Sequence, residues 1–145
     1  APFRAFAQEW VWHKETKGRE TGPMWLFYGC RSEKPEFSGK YGFADELKSY
    51  VEKGILTELR PAFSRDQKEK IYVQTRMSQV PDELYEDLVA KGGYFYLCGQ
   101  AGALEIDVEN AIKKAVKATG KYTEEQASEY VEEMHAEGRY NLELY

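Results

Sequence analysis

Three short stretches carry the residues able to do chemistry. The densest is Ser64-Arg65, followed by Lys70 and Tyr72. A hydroxyl, a guanidinium and an ammonium group fall within seven residues. A phosphate monoester is held by several donors and positive charge, and Arg presents a bidentate fork that Lys cannot. A nearby aromatic ring, here Tyr72, can stack on a base. The competing reading is an exposed loop followed by an unrelated core tyrosine. The second stretch, Cys98-Gly99-Gln100-Ala101-Gly102, joins an apolar run to a helical pattern. Glycine there lets backbone N–H groups approach an anion at a helix N-terminus, and it serves equally where only close packing is needed. The third, Tyr28-Gly29-Cys30-Arg31-Ser32, ends another apolar run. Cys30 and Cys98 have no CxxC spacing and no Cys/His cluster, which disfavours zinc or thioredoxin-type chemistry and suits a reducing compartment. Each thiol has a plain alternative as a small buried apolar group. A thiol oxidoreductase would need the two to approach each other. His13 and His135 fall on the polar sides of two helical patterns and are read as solvent-facing.

The elements that must position these residues fit one ordinary domain. The chain has 145 residues, 42% hydrophobic and 31% charged. Such a length buries about 68–70% of its unfolded surface without staples or metals. Disorder, collagen and membrane-spanning classes are excluded by composition and by the lack of a long apolar run. The opening residues have no apolar signal core. Twenty basic against twenty-five acidic side chains give a net charge of −5, which argues against duplex nucleic acid as partner. The charge is uneven. From Arg60 to Arg76 five basic residues face two acidic ones, whereas from Thr123 to the end there are seven glutamates and one arginine. A local basic island in an acidic protein is a candidate anion site, or else a solvated loop.

Apolar spacing lays out alternating helices and strands. Pro2, with Phe3, Phe6, Ala7 and Trp10, predicts a first helix, and KETKGRETGP a loop after it. Strands are expected at 24–30, 55–63, 94–98 and 141–145. A helix around Tyr41–Lys53 should bury Phe43, Leu47 and Val51. A second, starting at Pro81, carries Leu84 and Leu88 and stops at Gly92-Gly93. Leu104, Val108, Ala111 and Ala115 mark the next. Thr123-x-x-Gln126 is a capping box opening the last, with Ala127, Tyr130, Val131 and Met134 as its stripe. Strands separated by helices predict an α/β fold: a doubly wound, mostly parallel sheet with helices on both faces. Ligands of such sheets sit beyond the carboxyl ends of the strands, where all three stretches lie.

The set YGCRSE, AFSRDQKEKIYVQTRM, YFYLCGQAGALEIDV and EGRYNLELY, in that order, resembles the NADP-binding lobe of the ferredoxin–NADP reductase and diflavin reductase family, which includes sulfite reductase flavoprotein and microsomal cytochrome reductases. The likeness covers nearly the whole chain. It implies that residues 1–145 are an NADP(H)-binding domain, a C-terminal piece of a larger flavoprotein oxidoreductase. Ser64, Arg65 and Lys70 would hold the 2′-phosphate that separates NADP from NAD. Tyr72 would lie against the adenine, with Gln74 a lesser contact near the adenosine. Arg31 would meet the pyrophosphate or ribose side, and Gly99 and Gln100 would line the turn. Cys98 would stand beside the nicotinamide C4, with Glu143 as its acidic neighbour. Tyr145 would cover the flavin until displaced by nicotinamide.

Ala1–Phe6 resembles the segment that follows the family's Gly-Thr-Gly turn, so the first strand of the lobe is expected to be missing here, together with the flavin-binding barrel. Gln100 stands where diflavin members often have an acidic residue. The terminal Glu-x-Tyr is similar to plant-type and sulfite reductase forms, whereas microsomal forms use a Trp near this end. The implied parent passes hydride from NADPH to FAD, with FMN as a further flavin in the diflavin branch. Its partners would be its own FAD-binding domain and an electron acceptor such as ferredoxin, an FMN domain, or an iron–sulfur or heme protein. A cytoplasmic or organellar setting is expected, with any membrane anchor outside this segment. The fragment alone should turn over nothing. A non-catalytic α/β nucleotide-binding or interaction module remains the alternative.

Overall fold

The computed structural model describes residues 2–145; Ala1, from the segment likened to the stretch after the Gly-Thr-Gly turn, lies outside the described residues. Two compact units divide the chain between Arg76 and Met77. The order of elements is α1 (Pro2–Lys17), β1 (Trp25–Cys30), α2 (Ala44–Glu52), β2 (Glu58–Phe63), α3 (Val73–Met77), α4 (Pro81–Tyr85), β3 (Phe95–Gly99), α5 (Ala103–Gly120), α6 (Glu124–Ala136) and β4 (Tyr140–Leu144). The hydrogen-bonded strand pairs are β1 with β2 and β3 with β4, both parallel. The α/β class with parallel strands and intervening helices is as the sequence predicts. No described helix is long and apolar enough to cross a membrane.

In the first unit Leu26, Tyr28 and Cys30 of β1 alternate onto one face and join a core with Ala7, Phe37, Leu47, Ile55 and Leu56. The opposite face holds Trp25, Phe27 and Gly29. At the carboxyl end of that face Val73 of α3 approaches Gly29. Three details differ from the spacing-based expectation. Helix α1 runs on through Lys17, into the stretch expected to be loop. His13, expected in solvent, is only partly exposed, and its Nδ1 is buried. Helix α2 buries Ala44, Leu47 and Tyr50 rather than Phe43, Leu47 and Val51. Phe43 stands outside the first turn with non-helical dihedrals, so Leu47 stays buried while Ala44 and Tyr50 replace Phe43 and Val51 beside it.

In the second unit α5 buries Val108, Ala111, Ile112, Ala115 and Val116, and α6 buries Ala127, Val131 and Met134. The capping box of α6 is made: Gln126 N donates to Thr123 Oγ1 at 3.2 Å and Thr123 N to Gln126 Oε1 at 2.9 Å. The helix expected from Pro81 is α-helical to Tyr85 and continues as a widened helical turn over Glu86–Ala90, stopping before Gly92-Gly93 as expected. There the Leu88 carbonyl accepts Tyr130 Oη–H at 3.1 Å and Arg139 Nη1–H at 3.0 Å. Outside partners thus satisfy an acceptor in the widened turn.

Helices α1 and α2 are clamped through Glu46. Its carboxylate pairs with Arg4 and accepts from Tyr50 Oη at 2.9 Å and Gln8 Nε2 at 3.3 Å. The Arg4 hydrogen bond holds the Glu46 carboxyl below the ordinary glutamate range, against a burial that works the other way. A depressed folded-state value means that the clamp stabilises the fold above the unfolded pKa of about 4.3 and fades as pH falls through the folded value. Glu46→Gln should therefore flatten part of the drop in melting temperature between about pH 5 and about pH 3. An unchanged acid slope would mean that the clamp contributes nothing to folding.

Candidate functional site

The site residues of the first unit gather where β1 and β2 end. The register runs Gly29 with Ala62 and Cys30 with Phe63. The ladder continues past both strands: Ser64 N donates to Cys30 O at 3.0 Å and Arg65 N to Arg31 O at 2.7 Å. Backbone bonds thus put Ser64, Arg65 and Arg31 on neighbouring chain segments at one tip. Beneath them Phe37 packs between Tyr28 and Phe63, with ring centroids 5.4 and 5.5 Å away. Burial of Phe37 brings the segment Glu33–Phe37 back toward the tip, where Glu36 Oε2 accepts Arg31 N–H at 3.2 Å. Asp66 Oδ2 accepts Glu33 N–H at 2.7 Å.

These two carboxylates are therefore engaged with backbone amides. Among the described residues, Arg31, Arg65 and Lys70 make no ion pair, and Arg31, Arg65 and Lys70 are exposed. Unpaired cations beside a hydroxyl fit an incoming phosphate. The rest of the basic island is sorted differently. Arg60 pairs with Glu58 at 2.7 Å and lies over the Trp25 ring, and Arg76 Nε donates to Pro61 O at 3.0 Å. Both fasten the fold.

Tyr72 precedes α3, and its carbonyl accepts the N–H groups of Thr75 and Arg76 at 3.0 and 3.2 Å. Its ring is 43% exposed, so a face is open for stacking. Gln74 sits on α3 and is partly buried. Apolar spacing alone does not predict α3. Its signal is Val73 and Met77, four apart, with Val80 three further on. Helix α3 approaches closely: a Cβ on Gly29 would lie 3.1 Å from Val73 Cγ1.

Cys30 faces the core side. Burial, with Glu36 and Asp66 adding to it, pushes its thiol pKa up, and Sγ–H donates to Ser32 O at 3.4 Å. It therefore stays a neutral thiol rather than a nucleophile. Both cysteines are free.

The second unit has its own tip. Cys98 of β3 is registered with Glu143 of β4, and Gly99 with Leu144. Tyr145 N donates to Gly99 O at 3.1 Å, and Ala101 N donates to Tyr145 O at 3.1 Å. The backbone of Tyr145 is thus pinned on both sides of Gln100 while its ring is 83% exposed. Gln100 is exposed and Cys98 partly buried. Gly99 is buried, and a Cβ there would lie 2.5 Å from Leu104 Cδ2, so close packing of α5 across β3 accounts for this glycine. Its neighbour Gly102, at φ 109°, takes a conformation that side chains avoid and opens α5 without a side-chain cap.

With this geometry in view, the chain can be compared with characterised proteins. NADPH–cytochrome P450 reductase of Musca domestica is 37% identical over the whole chain, which spans 21% of that protein. The sulfite reductase [NADPH] flavoprotein alpha-component of Cronobacter sakazakii is 39% identical, again over the whole chain, which spans 22% of it. NADPH–cytochrome P450 reductase of Homo sapiens is 35% identical over the same span, 20% of its length. Along its whole length the chain is similar to these NADPH-dependent reductases. No protein-family model matches it. The chain covers about a fifth of the length of these relatives. Its parallel strands and intervening helices accord with a ferredoxin reductase-like domain.

Gly99→Val is the sharpest test of the β3–α5 packing. The added methyls must displace Leu104, at a cost of about 1–3 kcal/mol in urea-denaturation stability. A stability equal to that of the parent chain would show that the turn has room for a side chain.

Proposed function

We propose that this chain is the NADP(H)-binding lobe of an FAD-dependent reductase that delivers electrons singly to an acceptor. One observation supports the proposal above others: the backbone bonds Ser64 N–Cys30 O and Arg65 N–Arg31 O, which bring the main chain of a serine and two arginines without ion pairs to one parallel-strand tip. The NADPH-dependent names of the relatives support the same choice of ligand. When bound, NADPH supplies the hydride that the flavin accepts.

The chain's own residues then divide the work. Ser64, Arg65 and Lys70 grip the 2′-phosphate, the Arg fork giving direction and the Lys ammonium charge. Tyr72 stacks on the adenine, Gln74 contacts the adenosine, and Arg31 meets the pyrophosphate or ribose. At the other tip Gly99 and Gln100 shape the turn, Cys98 orients the nicotinamide edge, and Glu143 stands beside it in the ladder. Tyr145, anchored by its backbone, offers a ring that can swing without unpinning the strand. Such a lobe works by positioning, since a hydride moves only when donor and acceptor atoms are about 3–3.5 Å apart. In the intact reductase an FAD-binding domain completes the site.

Titration with adenosine 2′,5′-bisphosphate and 5′-AMP tests the first tip. The 2′-phosphorylated ligand should bind at least about tenfold tighter, as expected of a charge-assisted phosphate contact. Arg65→Ala should remove most of that difference. Equal affinities in the unaltered chain would leave a non-catalytic module as the better reading. Cys98→Ser tests the second tip in a reductase carrying this chain. It should slow hydride transfer, measured by stopped-flow flavin reduction, with little change in NADP⁺ affinity. A collapse in affinity with an unchanged rate per bound complex would make Cys98 a packing residue only.

A further inference from the structure

The loop from Ser64 to Lys70 has no strand or helix of its own, yet the proposed phosphate ligands sit at its two ends. Between them one side chain spans the loop. Gln67 Nε2 donates to Phe63 O at 2.6 Å and to Glu69 O at 2.7 Å. A carboxamide nitrogen carries two hydrogens, and both are used here. The two acceptors belong to particular peptide planes. Phe63 O shares its plane with the N–H of Ser64, and Glu69 O shares its plane with the N–H of Lys70.

We propose that Gln67 is a positioning residue that closes this loop and sets Lys70 against Ser64 and Arg65, so that selectivity for a 2′-phosphorylated adenosine depends on it. The proposal rests on reading this loop as the 2′-phosphate site. Magnitudes support it. Six residue steps separate Phe63 from Glu69, an extended reach of about 20 Å. Two hydrogen bonds to one nitrogen keep the two carbonyl oxygens within about 5 Å of each other. Without that closure Lys70 would have to be brought back toward the tip at each binding event, and its ordering would be charged against affinity. The Ser64 end is already fixed by its ladder bond to Cys30, and Asp66 ties the loop's near side to Glu33 N. Gln67 is the link that extends this order to Lys70.

Gln67 is exposed, so its replacement leaves the core intact. Gln67→Met keeps the length of the side chain and removes both donors. Adenosine 2′,5′-bisphosphate and 5′-AMP are titrated by calorimetry into the unaltered chain, Gln67→Met, Lys70→Met and the double variant. The expected result is a fall of about fivefold in preference for the bisphosphate in Gln67→Met, with 5′-AMP affinity unchanged. The double variant should lose no more than Lys70→Met alone, because Gln67 acts through Lys70. A Gln67→Met chain that keeps the full preference, that loses both ligands equally, or whose loss adds fully to that of Lys70→Met overturns the proposal. An unaltered chain without preference overturns the phosphate reading of the loop itself, and the role of Gln67 with it.

Discussion

The structure depends on a ladder that does not stop where its strands do. Two further N–H···O bonds carry the β1–β2 pairing past Cys30 and Phe63 and fix Arg31 beside Arg65. Both arginines are exposed and make no ion pair, so on the proposed reading their guanidinium groups are open to an incoming anion. A tip with unpaired guanidinium groups is in this sense a site awaiting charge, and the carboxylates that might have quenched it, Glu36 and Asp66, are instead engaged by amides.

The second tip is built the opposite way. It presents no cation. Cys98 is aligned with Glu143 by strand register alone, and Tyr145 is held by its main chain with its ring outward. Backbone anchoring with a free ring separates position from rotation. The ring can move at the cost of side-chain torsions only, while the Gly99–Tyr145 ladder bond stays made. The first tip thus suits grip, and the second suits orientation.

The buried faces were legible in the sequence wherever periodicity was long. Val108, Ala111 and Ala115 on α5, and Ala127, Val131 and Met134 on α6, repeat at helical spacing over several turns, so chance matches are few. Short elements were not. Helix α3 has only five residues, and its apolar pair Val73 and Met77 is masked by the polar run before it. On α2 only Leu47 of the expected stripe is buried, because Phe43 is apolar but lies outside the helix and Tyr50 takes the place expected of Val51. The widened turn after α4 was invisible, since it answers to Tyr130 and Arg139, more than forty residues away. In the site, residue types pointed to Ser64, Arg65 and Lys70, but the roles of Cys98, Glu143 and Tyr145 came only from family likeness. Composition could not separate Arg60 and Arg76, which fasten the fold, from the unpaired Arg31 and Arg65. That separation requires knowing where Glu58 and the Pro61 carbonyl lie.

The location of the unpaired cations also resolves an apparent conflict of charge. A chain of net charge −5 should repel a polyanionic dinucleotide at long range. At physiological ionic strength, however, exposed charges are screened beyond about 8 Å. A ligand arriving at the first tip is therefore governed by the charges within one such length. Within that short range the decisive quantity is how many cations are unpaired and already in place. Two are placed by ladder bonds. The third, Lys70, has a flexible stem and is useful only if its loop is closed before the ligand arrives. On the proposed reading, local pre-organisation rather than overall charge is thus what lets an acidic chain take up an anionic ligand.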